Sequence, residues 1–246
     1  SRNPGNGRSV IRQSYLFNNV YRENVMGELL NLTSANVKLY DGPPRNMDPT
    51  FGFDYFDNTR DTGYGGYHYD GRWKPVAKTI LEKYNLKSGD RILDLGCGKG
   101  FLLADLIEEC PGLEAKGIEI SEYAIENAHP PAKQHMSLGS IEKLPFPDDY
   151  FDAVMAINVF HFLSPEKTEI AFKEMLRVGK GSKNYFVHVD AFTNEIERER
   201  LLAWAPIIKT VYSCDDWFNL FKKLGYEGDY YWTFVRPETP ENFPAP

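Results

Sequence analysis

The stretch LDLGCGKG, Leu93 to Gly100, sets three glycines two residues apart, after a short apolar run and ahead of FLLADLIEE. Glycine at such a bend lets a ligand approach the main chain and tolerates positive φ. A helix beginning there would add unpaired N–H groups and the positive end of its dipole. Glu119 follows at about the 20-residue separation at which a carboxylate on the next strand end accepts from ribose hydroxyls. The competing reading is a tight turn beside a solvent-facing glutamate. The spacing is G-x-G-x-G, unlike the dinucleotide loop G-x-G-x-x-G, and Asp94 stands inside the preceding strand end.

Other residues could serve as acids, bases or substrate contacts. His161 follows a strong strand pattern, and His188 and Asp190, two apart on another, share a sheet face. Each could remove a proton from an acceptor. Equally, His161 could be a packed residue, and His188 and Asp190 a structural hydrogen bond. His68 lies within GYGGYHYDGRW, Gly63 to Trp73. In that stretch Tyr64, Tyr67, Tyr69 and Trp73 could stack on an acceptor or bind a cationic amine. Arg72 could pair with a carboxylate or phosphate. Its glycines would permit closure over a site, or its rings could form a static packing cluster. His129 and His135 flank a weaker strand and read as surface. Asp148 and Asp149 are adjacent in a turn, and no metal constellation is legible.

These residues need elements to position them. Pro75 suits a first helical residue, with Val76, Ile80, Leu81 and Tyr84 on one apolar face. RILDLG, AKGIEI, KQHMSL, FDAVMAIN, KNYFVHVDA and DYYWTFV read as strands, the last at a sheet edge. Between them lie helices signalled by Ser121, by Ser164-Pro165, and by capping spacings at Asn194/Glu197 and Ser213/Asp216, the last stopping at Gly225. Strands alternating with helices imply an α/β fold: a doubly wound, mostly parallel Rossmann-like sheet of six to seven strands, with helices on both faces. Its site should lie beyond the carboxyl ends of the strands, where the chain switches direction. Residues 1–73 read as an N-terminal helical and aromatic cap, with partial helical spacing over residues 8–31. Residues 74–246 read as the core.

At these motifs the chain resembles the class I S-adenosylmethionine-dependent methyltransferases. LDLGCGKG is similar to their first motif and GIEIS to their second. SLGSIEKLPFPDDYFDAVMAINVFHFL is similar to the third and fourth motifs of the ubiquinone-biosynthesis-like branch. The resemblance covers about residues 75–235. It implies S-adenosylmethionine as cofactor and S-adenosylhomocysteine as product. Asp94, Gly96 and Gly98 would hold the methionine portion and its amino group, Cys97 and Gly100 of the same loop would also bind the cofactor, and Glu119 and Ile120 would hold the ribose and one adenine face. Ser140 and Ile141 would flank the adenine, and Asn158 would lie under the cofactor. Two positions depart from the family pattern: Ser140 stands where aspartate is common, and Phe162 where histidine is common.

The chain of 246 residues carries a net charge of −7, which argues against a nucleic-acid-wrapping surface. No apolar run reaches the ~20 residues needed to span a bilayer. The opening SRNPGNGRSV lacks a secretory leader's layout. Three cysteines without metal spacing imply a reducing, cytoplasmic setting. The expected activity is methyl transfer to an oxygen or nitrogen of a small polar metabolite. The alternatives are an RNA or protein methyltransferase, a non-catalytic cofactor-binding module, and a dinucleotide-dependent oxidoreductase. The expected partner is a small-molecule acceptor, and a homodimer is possible through an uncovered edge strand or the N-terminal helices.

Overall fold

The computed structural model describes residues 37–238, apart from residue 182. The helices expected over residues 8–31 lie outside the described residues. The chain runs β1 (Val37–Leu39), α1 (Phe53–Phe56), α2 (Lys74–Lys83), β2 (Arg91–Leu95), α3 (Phe101–Glu109), β3 (Glu114–Glu119), α4 (Glu122–Glu126), α5 (Pro130–Lys133) and β4 (Met136–Leu138). It continues through β5 (Ala153–Ile157), a 3₁₀ turn (Phe160–Phe162), α6 (Pro165–Val178), β6 (Tyr185–Asp190), α7 (Glu195–Trp204), α8 (Cys214–Leu224) and β7 (Asp229–Arg236).

The seven strands form one sheet in the order β1-β7-β6-β5-β2-β3-β4, with every pair parallel. From β2 the chain moves outward through β3 to β4, then crosses back to β5 on the other side. The reversal lies between β2 and β5, which leaves a crevice beyond their carboxyl ends. Strand alternation divides the core. Leu93, Leu95, Val154, Val187 and Trp232 pack with Phe172 and Met175 of α6 and Trp217 and Phe221 of α8. Ile92, Met155, Phe186 and Tyr231 pack on the opposite face with Val76 and Ile80 of α2 and Leu103 and Leu106 of α3. Each fully buried side chain of this size contributes ~1.5–3 kcal/mol, so both faces hold the strand ends rigidly.

The caps explain where the helices begin. Ser121 Oγ accepts from Ala124 N–H, Ser213 and Asp216 bond reciprocally, and Pro165 opens α6. Asn194 caps α7, but the Glu197 carboxylate accepts from the Thr193 N–H and hydroxyl rather than from Asn194 N–H. One expectation fails. DYYWTFV is not the last strand of the sheet, because β1 pairs beyond it at its C-terminal end, with Val37 opposite Phe234 and Leu39 opposite Arg236. A strand of three residues carries too little pattern to be read ahead of a turn-rich segment.

Candidate active site

A cavity of about 550 Å³ opens in this crevice, within the ~300–1,000 Å³ usual for small-molecule sites. One half is built from the ends of β2, β3 and β5. Gly96 and Gly98 adopt φ of 70° and 55°, and a Cβ on Gly96 would strike Val159 Cγ2 at 2.6 Å. Backbone thus occupies space that no other residue could share. Glu119 ends β3; its carboxylate accepts from Gly98 N–H at 2.8 Å and Ser121 N–H at 2.9 Å. This ties the glycine loop to the neighbouring strand. Burial pushes the Glu119 carboxyl above its ordinary range, against those hydrogen bonds. Burial, and then the Glu119 charge, push Asp94 up to about 8. Such a buried acidic pair is poised to meet positive charge.

Asn158, just past β5, has φ of 55°. Its N–H donates to His188 O, while its buried side-chain Oδ1 has no hydrogen-bond partner among the described residues. A buried acceptor left unmatched costs ~1–3 kcal/mol, and this one belongs to a residue that lines the cavity. Cys97, Ile120, Ser140 and Ile141 line it too, and Ile120 remains 59% exposed there. Ser140 Oγ accepts from Glu142 N–H at 3.2 Å. Gly100 starts α3 in the left-handed region and is buried behind the loop against Met136 and Ala132.

The other half is aromatic. Phe51, Tyr55, Phe56, Tyr64, Tyr67, Trp73 and Phe162 reach the cavity. The segment carrying most of them is pinned over the glycine loop. Lys99 donates to both oxygens of Asp57 at 2.7 and 2.6 Å, and Asp57 also accepts from Tyr123 Oη and Tyr67 N–H. Arg45 donates to the carbonyls of Arg60 and Gly63 and stacks on Trp204.

Of the proposed acceptor contacts, Tyr64, Tyr67 and Trp73 line the cavity, and Tyr69 and Arg72 do not. Tyr69 donates to Asp105 Oδ1 at 2.5 Å and stacks on His129, while Arg72 pairs with Asp70. The chain's five histidines all fall among the described residues, and none lines this cavity. His161 is buried behind it, its Nδ1 accepting from Asp190 N–H and its Nε2 standing 3.6 Å from Asp190 Oδ2. Burial pushes His161 down and Asp190 up, which favours the neutral forms of both. His188 bonds Thr233 Oγ1 at 2.7 Å and is pushed down to about 3, chiefly by burial. His68 is exposed. The sequence reading missed Phe51, Tyr55, Phe56, Phe162, Lys167 and Lys209. Aromatic density signalled the first three; nothing local singled out the lysines. Among the described residues no cluster of histidine, cysteine or carboxylates could hold a metal, and no helix is long and apolar enough to cross a membrane.

The family described as a methyltransferase domain matches residues 92–181, which span the glycine loop, Glu119, Ser140 and Asn158. Over those residues the chain is similar to this methyltransferase-domain family, and it spans less than two thirds of the length of the first curated relatives it matches. The bare backbone at the loop, Glu119 and the unmatched Asn158 carbonyl fit a cationic nucleoside such as S-adenosylmethionine. An uncharacterised methyltransferase of Schizosaccharomyces pombe is 28% identical over 170 residues, covering 63% of this chain and 61% of that one. The 27-O-demethylrifamycin SV methyltransferase of Amycolatopsis mediterranei is 26% identical over 199 residues, 72% of each chain. The solved structure of the [4+2]-cyclase SpnF aligns with a TM-score of 0.51 at 20% identity, covering 75% of this chain and 64% of that one.

Proposed function

We propose that this chain moves the methyl group of S-adenosylmethionine to an oxygen or nitrogen of a small polar metabolite, such as a sugar, a sugar nucleotide or a natural-product intermediate. One observation carries the reading: the Gly96–Gly98 backbone, the Glu119 carboxylate and the unmatched Asn158 carbonyl converge on one roofed cavity at the switch point of the sheet. The fold by itself does not fix the reaction, since the cyclase shares it.

When bound, the cofactor supplies an electrophilic methyl carbon on a cationic sulfur. The chain's own work is positioning. Glu119 would hold the ribose, and Ile120, Ser140 and Ile141 the adenine. Asp94 and Asn158 would face the positively charged methionine portion. The aromatic segment would exclude water and hold the acceptor's lone pair in line with the departing sulfur. No histidine reaches the wall, which favours an acceptor that needs no strong base: a neutral amine, or an oxygen acidic enough to ionise in water. The roof over the cavity favours a small molecule over a polynucleotide.

The test is calorimetric titration of the full chain with S-adenosylhomocysteine. We expect micromolar binding, weakened about ten- to a hundredfold by Glu119→Ala, the range of a charge-assisted hydrogen bond. Equal affinity in the variant would remove the ribose assignment, and no binding to the wild-type chain would remove the function.

A further inference from the structure

The wall of the cavity is divided by charge. Its three carboxylates, Asp94, Glu119 and Glu142, all lie on the half assigned above to the cofactor. Among the described residues the facing half carries no carboxylate; it offers the rings of Phe51, Tyr55, Tyr64 and Phe162 and, at the rim, Lys209. The two lysines that line the cavity differ. Lys167 is engaged with Glu142 Oε1 at 3.0 Å, on the adenine side. Lys209 is exposed and makes no ion pair among the described residues. Its main chain is nevertheless held firmly. The N–H groups of Lys209 and Thr210 both donate to His161 O, at 2.9 and 3.1 Å, and Thr210 Oγ1 donates to Leu163 O at 2.8 Å. The backbone that carries the Lys209 ammonium is thus tied to the turn that follows Asn158, which also carries Phe162 of the aromatic wall.

Resting on the methyltransferase reading, we infer that the acceptor is a flat, ring-bearing carboxylic acid whose ring lies against Phe51, Tyr55 and Phe162 and whose carboxylate meets Lys209 at the rim. A single flexible ammonium matches a monoanion. A phosphate would call for a bidentate guanidinium or a ring of main-chain donors, and Arg72 is turned away to Asp70. In a chain of net charge −7, a lone rim cation also steers an anion to this mouth.

The inference is tested on the full chain loaded with S-adenosylhomocysteine, titrated with 4-hydroxybenzoate and 4-hydroxycinnamate and with the methyl ester of each. We expect each acid to bind about tenfold more tightly than its ester, and Lys209→Gln to remove that preference while leaving the esters unchanged, as loss of one charge-assisted contact requires. Acid and ester binding alike, a preference that survives Lys209→Gln, or no binding by any of the four probes would overturn it; tighter binding of 4-hydroxyphenyl phosphate than of 4-hydroxybenzoate would replace the carboxylate with a phosphate. Failure of S-adenosylhomocysteine to bind in the loading step would instead count against the methyltransferase reading.

Discussion

At the scale of single residues, the site depends on carboxyl groups kept out of water. Asp94 is pushed up to about 8, from an ordinary value of 3.8. The folded chain therefore holds a proton there that the unfolded chain gives up, and its stability is full below about pH 4 and declines as pH rises toward 8. Glu119 and Asp190 are shifted upward too and act in the same sense. Denaturant unfolding of the ligand-free chain should show lower stability at pH 8 than at pH 5. Asp94→Asn should shrink that gap by a few kcal/mol, at ~1.4 kcal/mol per unit of pKa; an unchanged gap would place the cause elsewhere. His161 gives a second contrast. Because it is buried against Asp190 and does not line the cavity, His161→Asn should cost about 1–3 kcal/mol of stability through the lost packing and hydrogen bond, and leave the shape of the pH–rate profile intact. Loss of an ionisation from that profile would instead make His161 the base.

At the scale of elements, the aromatic segment 47–73 and the glycine loop are joined through Asp57. Burial raises the Asp57 carboxyl, but hydrogen bonds from Lys99, Tyr123 and Tyr67 outweigh it and hold it below the ordinary carboxylate range. Lys99 belongs to the loop itself, between Gly98 and Gly100, so whatever orders the loop also orders the segment above it. Lys99→Met keeps the length of the side chain and removes the ion pair. We expect a stability loss below the ~3–5 kcal/mol of a fully buried pair, since Asp57 keeps 16% of its side chain exposed. We also expect S-adenosylhomocysteine to protect the Arg60 bond from trypsin in the wild-type chain but not in the variant. Equal protection in both would show that the segment closes independently of the loop.

At the scale of the whole molecule, residues 37–73 contribute more than a wall of the cavity. They supply β1, which covers the Phe234–Arg236 end of β7 with main-chain pairing extended by Tyr40 N–H to Arg236 O at 2.8 Å. Deleting residues 1–73 would end turnover and would also bare the main chain of Phe234–Arg236, lengthening the unpaired edge of β7 into a template for self-association. Light scattering should show the truncated chain associating where the full chain does not. A monodisperse, folded truncation would show that β1 is dispensable to the sheet.

The sequence by itself determined the alternation of strands and helices, the parallel sheet, the glycine loop with Glu119 opposite it, and Asn158 at the end of a strand. Each of these is written within a few residues, as an apolar period, a capping pair or a bend that only glycine tolerates. Only the tertiary structure decided which aromatic rings face the cavity, since irregular backbone has no period: Tyr67 turns in and Tyr69, two residues on, turns out to Asp105. It alone placed His161 behind the wall rather than in it, set β1 beside β7, and brought Lys209 to the rim. Those outcomes rest on contacts between segments far apart in the chain, where packing and the satisfaction of buried polar groups, not local propensity, choose the arrangement.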